Sequence, residues 1–442
     1  MWLKSFSNEQ IERGGSDMRE MKDSGIEWIG EIPCSWRMKR GKYLFNQRSS
    51  KGNAISLQLL SPTQKFGVIP QSLYEEKTGM NAVKLKDNAD LSMLKTIHKG
   101  DFCISLRSFQ GGFEYSEYEG VVSPAYQVFF PTANIERGFY KYLFKDCCFI
   151  EKMNSYTMTL RDGKNIAFSD FGNTYIPVPP LQEQKKIADF LDAKCAVIDA
   201  LTADIQTQID TLEQYKKSVI TEAVTQGLNS DVEMKDSGVE WIGKIPSTWQ
   251  VIRIKYLLAE RNSRSVYGEE EPLSMSQKYG LIPTKEMDNV PHMAATNVGA
   301  KLAYIDDLVF NKLKAHLGVF SVSRYEGLVS PDYSVYFSKG NCNIKYLEYL
   351  FKTDLYINEF RKKVTGVGAG LSRLYTSGLF NIYAIYPPLF AQKEIVEYLT
   401  ENINRANKTI DDKQKQLEIL ANYKKSIIYE YVTGKREVPD ER

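Results

Sequence analysis

From Leu181 to Gln226 the chain runs without Gly or Pro, and apolar residues recur every seven positions. Leu191, Ile198, Ile205, Leu212 and Val219 hold one heptad position, and Leu201, Ile209, Tyr215 and Ala223 are expected to fill the neighbouring seam. Pro179–Pro180 marks the start of such a helix and Gly227 its stop. A second stretch, from Leu389 to Thr433 with Gly434 after it, repeats the arrangement. There Val396, Ile403, Ile410 and Leu417 alternate with Leu399, Ala406, Leu420 and Ile427. Each pattern predicts a helix of about 45 residues, roughly 65–70 Å long at 1.5 Å per residue. A stripe this narrow is not stable alone in water, so each helix needs a helical partner. The simplest partner is the other helix, antiparallel, with intermolecular pairing as the alternative. Lys413 falls where an apolar residue is expected, and it either reaches out to water or fixes the register.

The segments before these helices have another rhythm. Short aromatic and β-branched runs, DFCIS, YQVFF and TYIPV in one and DLVFN, YSVYF and NIYAIY in the other, are punctuated by Gly and Pro. They predict strands with long loops, interrupted by helical stretches near Phe139–Met153 and Lys345–Lys363. The two halves are copies of each other. MKDSGIEWIG (21–30) is answered by MKDSGVEWIG (234–243), and QKFGVIP (64–70) by QKYGLIP (277–283). YEGVVSPAY (118–126) is answered by YEGLVSPDY (325–333), and YKKSVI (215–220) by YKKSII (423–428). The offset stays between 207 and 213 residues, so the chain is a tandem duplication. The expected fold class is α+β, with two β-rich α/β domains, each followed by a long helix. The expected boundaries are a first domain over 1–178 with an N-terminal extension at 1–20, and a spacer helix over 179–227. A second domain over 228–386, a second spacer helix over 387–434 and a tail over 435–442 follow.

Composition narrows the function. The 442 residues are 43% hydrophobic and 25% charged, an ordinary globular balance. With 57 Lys and Arg against 55 Asp and Glu the formal charge is only +2, so nucleic-acid binding would have to come from local patches. The six cysteines show no CxxC spacing and the three histidines are scattered, which predicts neither a structural zinc nor a disulfide framework. The N-terminus has no signal-peptide core and no stretch reads as a membrane span, so a cytoplasmic chain is expected. There is no GxxxxGK[ST] loop, no GxGxxG after a strand, no HExxH and no GxSxG. Glu-x-Lys at Glu20–Lys22 and Glu233–Lys235 reads as a polar boundary segment. The expectation is a binding protein, not an enzyme. Two similar domains held apart by a helical rod suit a linear polymer with two patches to read, and duplex DNA fits.

On these residues the chain resembles the specificity subunit of type I restriction–modification systems. Each copy opens with GIEWIGEIPCSW (25–36) or GVEWIGKIPSTW (238–249), and passes into its helix through IPVPPLQEQKKIADFLD (176–192) or IYPPLFAQKEIVEYLT (385–400). Copy two departs at Phe390–Ala391, where copy one has Gln182–Glu183. The resemblance implies a non-catalytic subunit whose two target-recognition domains each read half of a bipartite, asymmetric site in double-stranded DNA. The helices would set the gap and dock two modification (methyltransferase) subunits, and restriction (motor–nuclease) subunits would complete the complex. No cofactor is expected in this chain; S-adenosylmethionine, ATP and magnesium belong to the implied partners. A DNA-binding adaptor of another defence complex and a coiled-coil protein scaffold are the alternatives.

Candidate DNA contacts follow from side-chain chemistry on loops. In copy one they are Gln64 and Lys65 in the QKFG turn, then Ser105, Arg107, Ser108 and Gln110 after DFCIS, and Thr159, Arg161, Lys164 and Asn165 in TLRDGKN. In copy two they are Gln277 and Lys278, then Asn311, Lys312, Lys314 and His316, and Ser372 and Arg373. His316 alone reads more simply as a surface or satisfied histidine. The loops occupy matching places but differ in residues, as two different half-sites would require. QKFG and QKYG barely differ, which favours a backbone or phosphate role there.

Overall fold

The computed structural model describes residues 19–51, 57–80, 91–105, 111, 113–156, 166–276, 279–287, 297–366 and 372–439. The fold is α+β. Its two compact units do not follow the two sequence copies. One draws on the chain up to Asp204 and again from Lys415 onward, and the other runs from Ile205 to Gln414.

In the first unit an antiparallel sheet has the strand order Phe45–Arg48, Tyr126–Pro131, Phe102–Ser105, Glu114–Tyr115. The second unit repeats it as Leu258–Glu260, Tyr333–Ser338, Leu308–Asn311, Phe320–Val322. In each, a hairpin (Leu60–Thr63 with Gly67–Pro70; Leu273–Ser276 with Gly280–Pro283) flanks the sheet. A separate pair (Arg37–Arg40 with Tyr175–Val178; Gln250–Arg253 with Tyr383–Tyr386) leads into the long helix. The aromatic runs of the sequence are these strands. The helical stretches predicted near 139–153 and 345–363 are each two helices. Arg137–Leu143 gives way to Cys147–Ser155 because the Asp146 carboxylate accepts the N–H groups of Cys148 and Phe149 at 3.0 and 3.1 Å and starts a new helix. Ile344–Phe351 gives way to Asp354–Lys363 at Thr353.

A fork between a half-buried Arg and a buried Asp ties the sheet to the loop before its third strand. Arg48 donates to Asp101 at 2.7 and 3.1 Å in one unit, and Arg261 to Asp307 at 2.6 and 2.8 Å in the other. The core of the first unit is a cluster of aromatic rings centred on Phe45, which has Phe102, Phe129, Tyr140, Phe144 and Phe171 within 5.4–5.8 Å of its centroid.

The long helices span Leu181–Gln226 and Leu389–Val432. Within the first unit the start of one packs on the end of the other. Ile187, Leu191, Cys195 and Ile198 share a buried cluster with Ile427, Ile428, Tyr431 and Val432, and Lys424 pairs with Asp199 at 2.6 Å. Within the second unit the polarity is reversed, with Val219, Ile220, Ala223 and Val224 against Ile395, Val396, Leu399 and Ile403. Both pairings are antiparallel. In the second helix all the expected seam residues, Val396, Leu399, Ile403, Ile410, Leu417, Leu420 and Ile427, are buried or half-buried. In the first, Leu191, Ile198, Ile205, Ile209, Leu212 and Val219 are likewise covered, but Leu201 is 47% exposed and Tyr215 48% exposed. The companion seam position lies four residues after each heptad residue, at Cys195, Thr202, Ile209, Lys216 and Ala223. Leu201 and Tyr215 sit only three residues on, which turns them to the solvent side of the stripe. Lys413 is half-buried and donates to the Gln208 side chain on the other helix, a polar pair inside the seam.

The boundary sequence has a physical role. Gln184 is buried, donates to the Pro179 carbonyl at 2.7 Å and accepts the Glu136 N–H at 2.7 Å. Gln392 does the same with Pro387 and the Asn343 N–H, both at 2.8 Å. One amide side chain thus ties the Pro-Pro turn, the long helix and the neighbouring helix start together. At the far ends, Gly227 and Gly434 have φ of 88° and 72°, a left-handed cap that favours glycine. No helix in the described residues is long and apolar enough to cross a membrane.

Candidate nucleic-acid interface

The recognition candidates are rooted at one end of each sheet. In the first unit, the strand Phe102–Ser105 ends with Ser105 opposite Tyr126. The next residue along that neighbouring strand, Gln127, accepts the Phe168 N–H at 2.7 Å and donates to the Ile166 carbonyl at 3.3 Å. Ser105, which precedes Arg107, Ser108 and Gln110 in the chain, and Ile166, which follows Thr159, Arg161, Lys164 and Asn165, therefore lie beside neighbouring residues of one strand. Those seven positions, with Gln277 and Lys278, lie outside the described residues, as does the side chain of Ser105.

The QKFG turn closes the Leu60–Pro70 hairpin. Phe66 donates its N–H to the Thr63 hydroxyl at 3.0 Å, and that hydroxyl donates to the Gly67 carbonyl at 3.1 Å. Gln64 and Lys65 stand exposed at its tip, with the Lys65 ammonium 5.2 Å from the Phe66 ring. Gln64 lies against Gly111, where an added methyl would stand 3.1 Å from its side-chain carbons. Lys145 reaches the same point, donating to the Gly111 carbonyl at 3.0 Å and to Glu114 at 2.6 Å. The QKFG turn thus packs on Gly111, the residue that follows Gln110 in the chain. Burial raises the Glu114 pKa, with the Lys145 charge opposing it.

The second unit brings its candidates together around Asp332. Asn311 ends the strand opposite Tyr333, and its side-chain oxygen accepts the Leu313 N–H at 3.1 Å. Lys312 donates its backbone N–H to the Asp332 carbonyl at 3.1 Å and its ammonium to the Pro331 carbonyl at 3.0 Å. The Leu374 N–H donates to the Lys312 carbonyl at 3.0 Å, while Arg373 reaches the Asp332 carboxylate at 3.4 Å. Lys314 is exposed; His316 is half-buried, and its Nδ1 has no hydrogen-bond partner. Ser372 is half-buried beside Arg373.

Sequence reasoning missed Asp332, although a signal was present. SPAY and SPDY differ in one residue, and that residue, Ala125 against Asp332, is the one that orders Arg373. It also missed a shared lysine. Lys95 and Lys301 donate to the carbonyls of Tyr126 and Tyr333 at 2.7 and 3.0 Å, beneath the loop roots, and burial lowers the pKa of each.

Beside each hairpin lies a cleft. In the first unit it measures about 600 Å³ and is lined by Lys65, Lys77, Lys141, Lys145 and Tyr115 among others. In the second it measures about 150 Å³ and is lined by Arg324, Lys345, Glu348 and Lys352 among others. Glu348 is buried, yet its pKa is lowered: burial pushes it up, but Lys352 at 2.7 Å and Lys345 at 2.5 Å outweigh that. A carboxylate lowered in the folded state contributes stability above its unfolded pKa and loses it as pH falls through the folded value. Glu348→Gln is therefore expected to cost about 1–2 kcal/mol at pH 7. Urea denaturation repeated at lower pH should show that difference shrinking below about pH 4; a pH-independent difference would assign the loss to packing instead.

What these loop roots present is a set of hydrogen-bonding groups of the kinds that meet base edges and phosphates, on one scaffold used twice with different side chains. Residues 40–211 match the family model described as the type I restriction modification DNA specificity domain. The chain is 25% identical over 284 residues to the type I restriction enzyme MjaVIII specificity subunit of Methanocaldococcus jannaschii, covering 61% of this chain and 63% of that protein. It is 27% identical over 278 residues to the putative MjaX specificity subunit of the same organism, covering 60% and 59%. The chain therefore spans under two thirds of the length of either relative. Among solved structures, a chain from work on complex assembly and conformational transition of the type I R-M system shares the fold. Its TM-score is 0.65 at 14% identity, over 92% of this chain and 99% of that one.

Proposed function

We propose that the chain is a specificity subunit of the type I restriction–modification family and selects DNA sequence for a methylating and restricting complex, a reading supported by the family model over residues 40–211 and by the two similar specificity subunits. Each recognition domain reads one half of a bipartite, asymmetric site in double-stranded DNA. The paired helices fix the gap and dock two modification subunits, with restriction subunits added to them. The chain itself performs no catalysis; S-adenosylmethionine, ATP and magnesium act in the partner subunits, in the cytoplasm. Target adenines are flipped out for methylation, since the reacting nitrogen is inaccessible inside the stack.

The observation that carries this reading is the reuse of one scaffold with different side chains at its loop roots. Lys312, Arg373 and Asp332 cluster in the second unit, where the first has Gln127 anchoring a loop and Ala125 in place of the acid. Identical scaffolds with divergent loops suit two unlike half-sites.

Single-molecule sequencing of methylated adenine, in cells with the gene and in its deletion, tests the reading. A split motif with a fixed gap should be present in the first and gone in the second; identical methylomes would overturn it. The gap can be tested separately. Four residues inserted after Gln208 and four after Lys413, the residues that pair across the seam, lengthen both helices by about 6 Å. The methylated motif should then gain one or two base pairs in its spacer, at about 3.4 Å per base pair. An unchanged spacer would sink the ruler.

A further inference from the structure

We propose that each unit also carries a phosphate-binding patch, separate from the recognition loops, that holds the backbone of duplex DNA regardless of sequence. This rests on the DNA-reading function above and extends it to a surface the loops do not include.

In the first unit the strand Arg37–Arg40 pairs with Tyr175–Val178, and Arg40 lies opposite Tyr175 with its guanidinium 5.2 Å from that ring. The short helix Gly41–Tyr43 then presents Lys42, 5.6 Å from the Tyr43 ring, with its ammonium donating to the Asn173 side chain at 3.3 Å. The second unit builds the same surface. Arg253 lies opposite Tyr383 at 5.1 Å, and Lys255 is 4.9 Å from the Tyr256 ring. Here Arg253 is the donor to the matching asparagine, Asn381, at 3.2 Å. Tyr43 and Tyr256 are 64% and 55% exposed, so both rings stand on the surface beside the cations. Among the described residues none of these four cations forms an ion pair.

The positions match one for one between copies: Arg, Lys, Tyr, Asn, Tyr. The recognition loops do the opposite, diverging at matched places. A surface that stays the same while the loops differ suits a ligand that is the same at both half-sites, and cations without ion pairs, set beside tyrosine rings, favour the sugar–phosphate backbone as that ligand. Arg, Lys, Asn and Tyr are the side chains that contact phosphates, and stacking on tyrosine holds the cations in place before binding. With a net charge of only +2, the chain depends on such local patches for its attraction to DNA.

The test uses the full chain with its co-purifying subunits and a fluorescein-labelled duplex of arbitrary sequence, titrated across salt concentrations. Lys42→Gln and Lys255→Gln should each reduce the slope of log affinity against log salt by about one, and the double variant by about two. Lys42→Arg should retain the wild-type slope, and the methylated motif should not change in any of them. An unchanged slope in the double variant would overturn the proposal. So would loss of the co-purifying subunits at unchanged slope, which would make the patch a docking surface for an acidic protein. A wild-type complex that binds no duplex at any salt would instead overturn the function on which the proposal stands.

Discussion

Phe45→Ala is expected to destabilise the first unit by about 3–5 kcal/mol, the range for removing a buried phenylalanine ring. Phe45 is fully buried, and five aromatic rings lie within 5.4–5.8 Å of it, so the void would open where strands and helices converge. The duplication supplies the control, because the same position in the second copy is Leu258, also fully buried. Phe45→Leu should therefore cost less than about 1.5 kcal/mol once neighbours shift. Hydrogen exchange of the amides in Phe102–Ser105 and Tyr126–Pro131 measures the first unit specifically, which matters because a two-unit chain need not unfold in a single step. Equal losses for the two variants would show that ring packing is not what holds this core.

Asp307→Ala should cost the second unit about 2–4 kcal/mol. The carboxylate is buried and accepts three bonds, two from Arg261 at 2.6 and 2.8 Å and one from the Tyr304 N–H at 2.9 Å. Removing one partner of a buried pair leaves the other charge unsatisfied, at about 3–5 kcal/mol for a fully enclosed site. Arg261 keeps some access to water, which trims the figure. Its guanidinium lies over the rings of Tyr304 and Phe337, 4.8 and 4.6 Å away, aromatic surroundings that suit an apolar chain. The double variant Arg261→Met, Asp307→Leu should therefore recover much of the loss. Urea denaturation of the three chains decides it; a double variant worse than the single would mean that the fork has no apolar substitute.

Most elements were legible in the sequence because their signals are local. Seven-residue periodicity, a proline pair and a closing glycine predict both long helices, and the aromatic runs are the strands observed. Legibility failed where a few degrees of helix rotation decide the outcome. Leu201 looked like a seam residue because it is apolar and three positions beyond Ile198, yet Thr202 takes that place, half-buried. Apolarity marks a stripe, but its edge is set by the partner helix. The candidate interface was read in part. The chemistry of Lys312 and Arg373 was visible, but their joining through Asp332 was not, since residues 312, 332 and 373 meet only in space.

The sequence by itself determined the duplication, the alternation of β-rich segment and long helix, and the need of each narrow stripe for a helical partner. Which helix end completes which core was decided only by tertiary structure. The core built on Phe45 is closed by Ile427, Ile428, Tyr431 and Val432, from the other copy and nearly 400 residues along the chain. Hydrophobic burial is non-directional. A stripe records that it must be covered, while the fit of side chains against a particular surface selects what covers it.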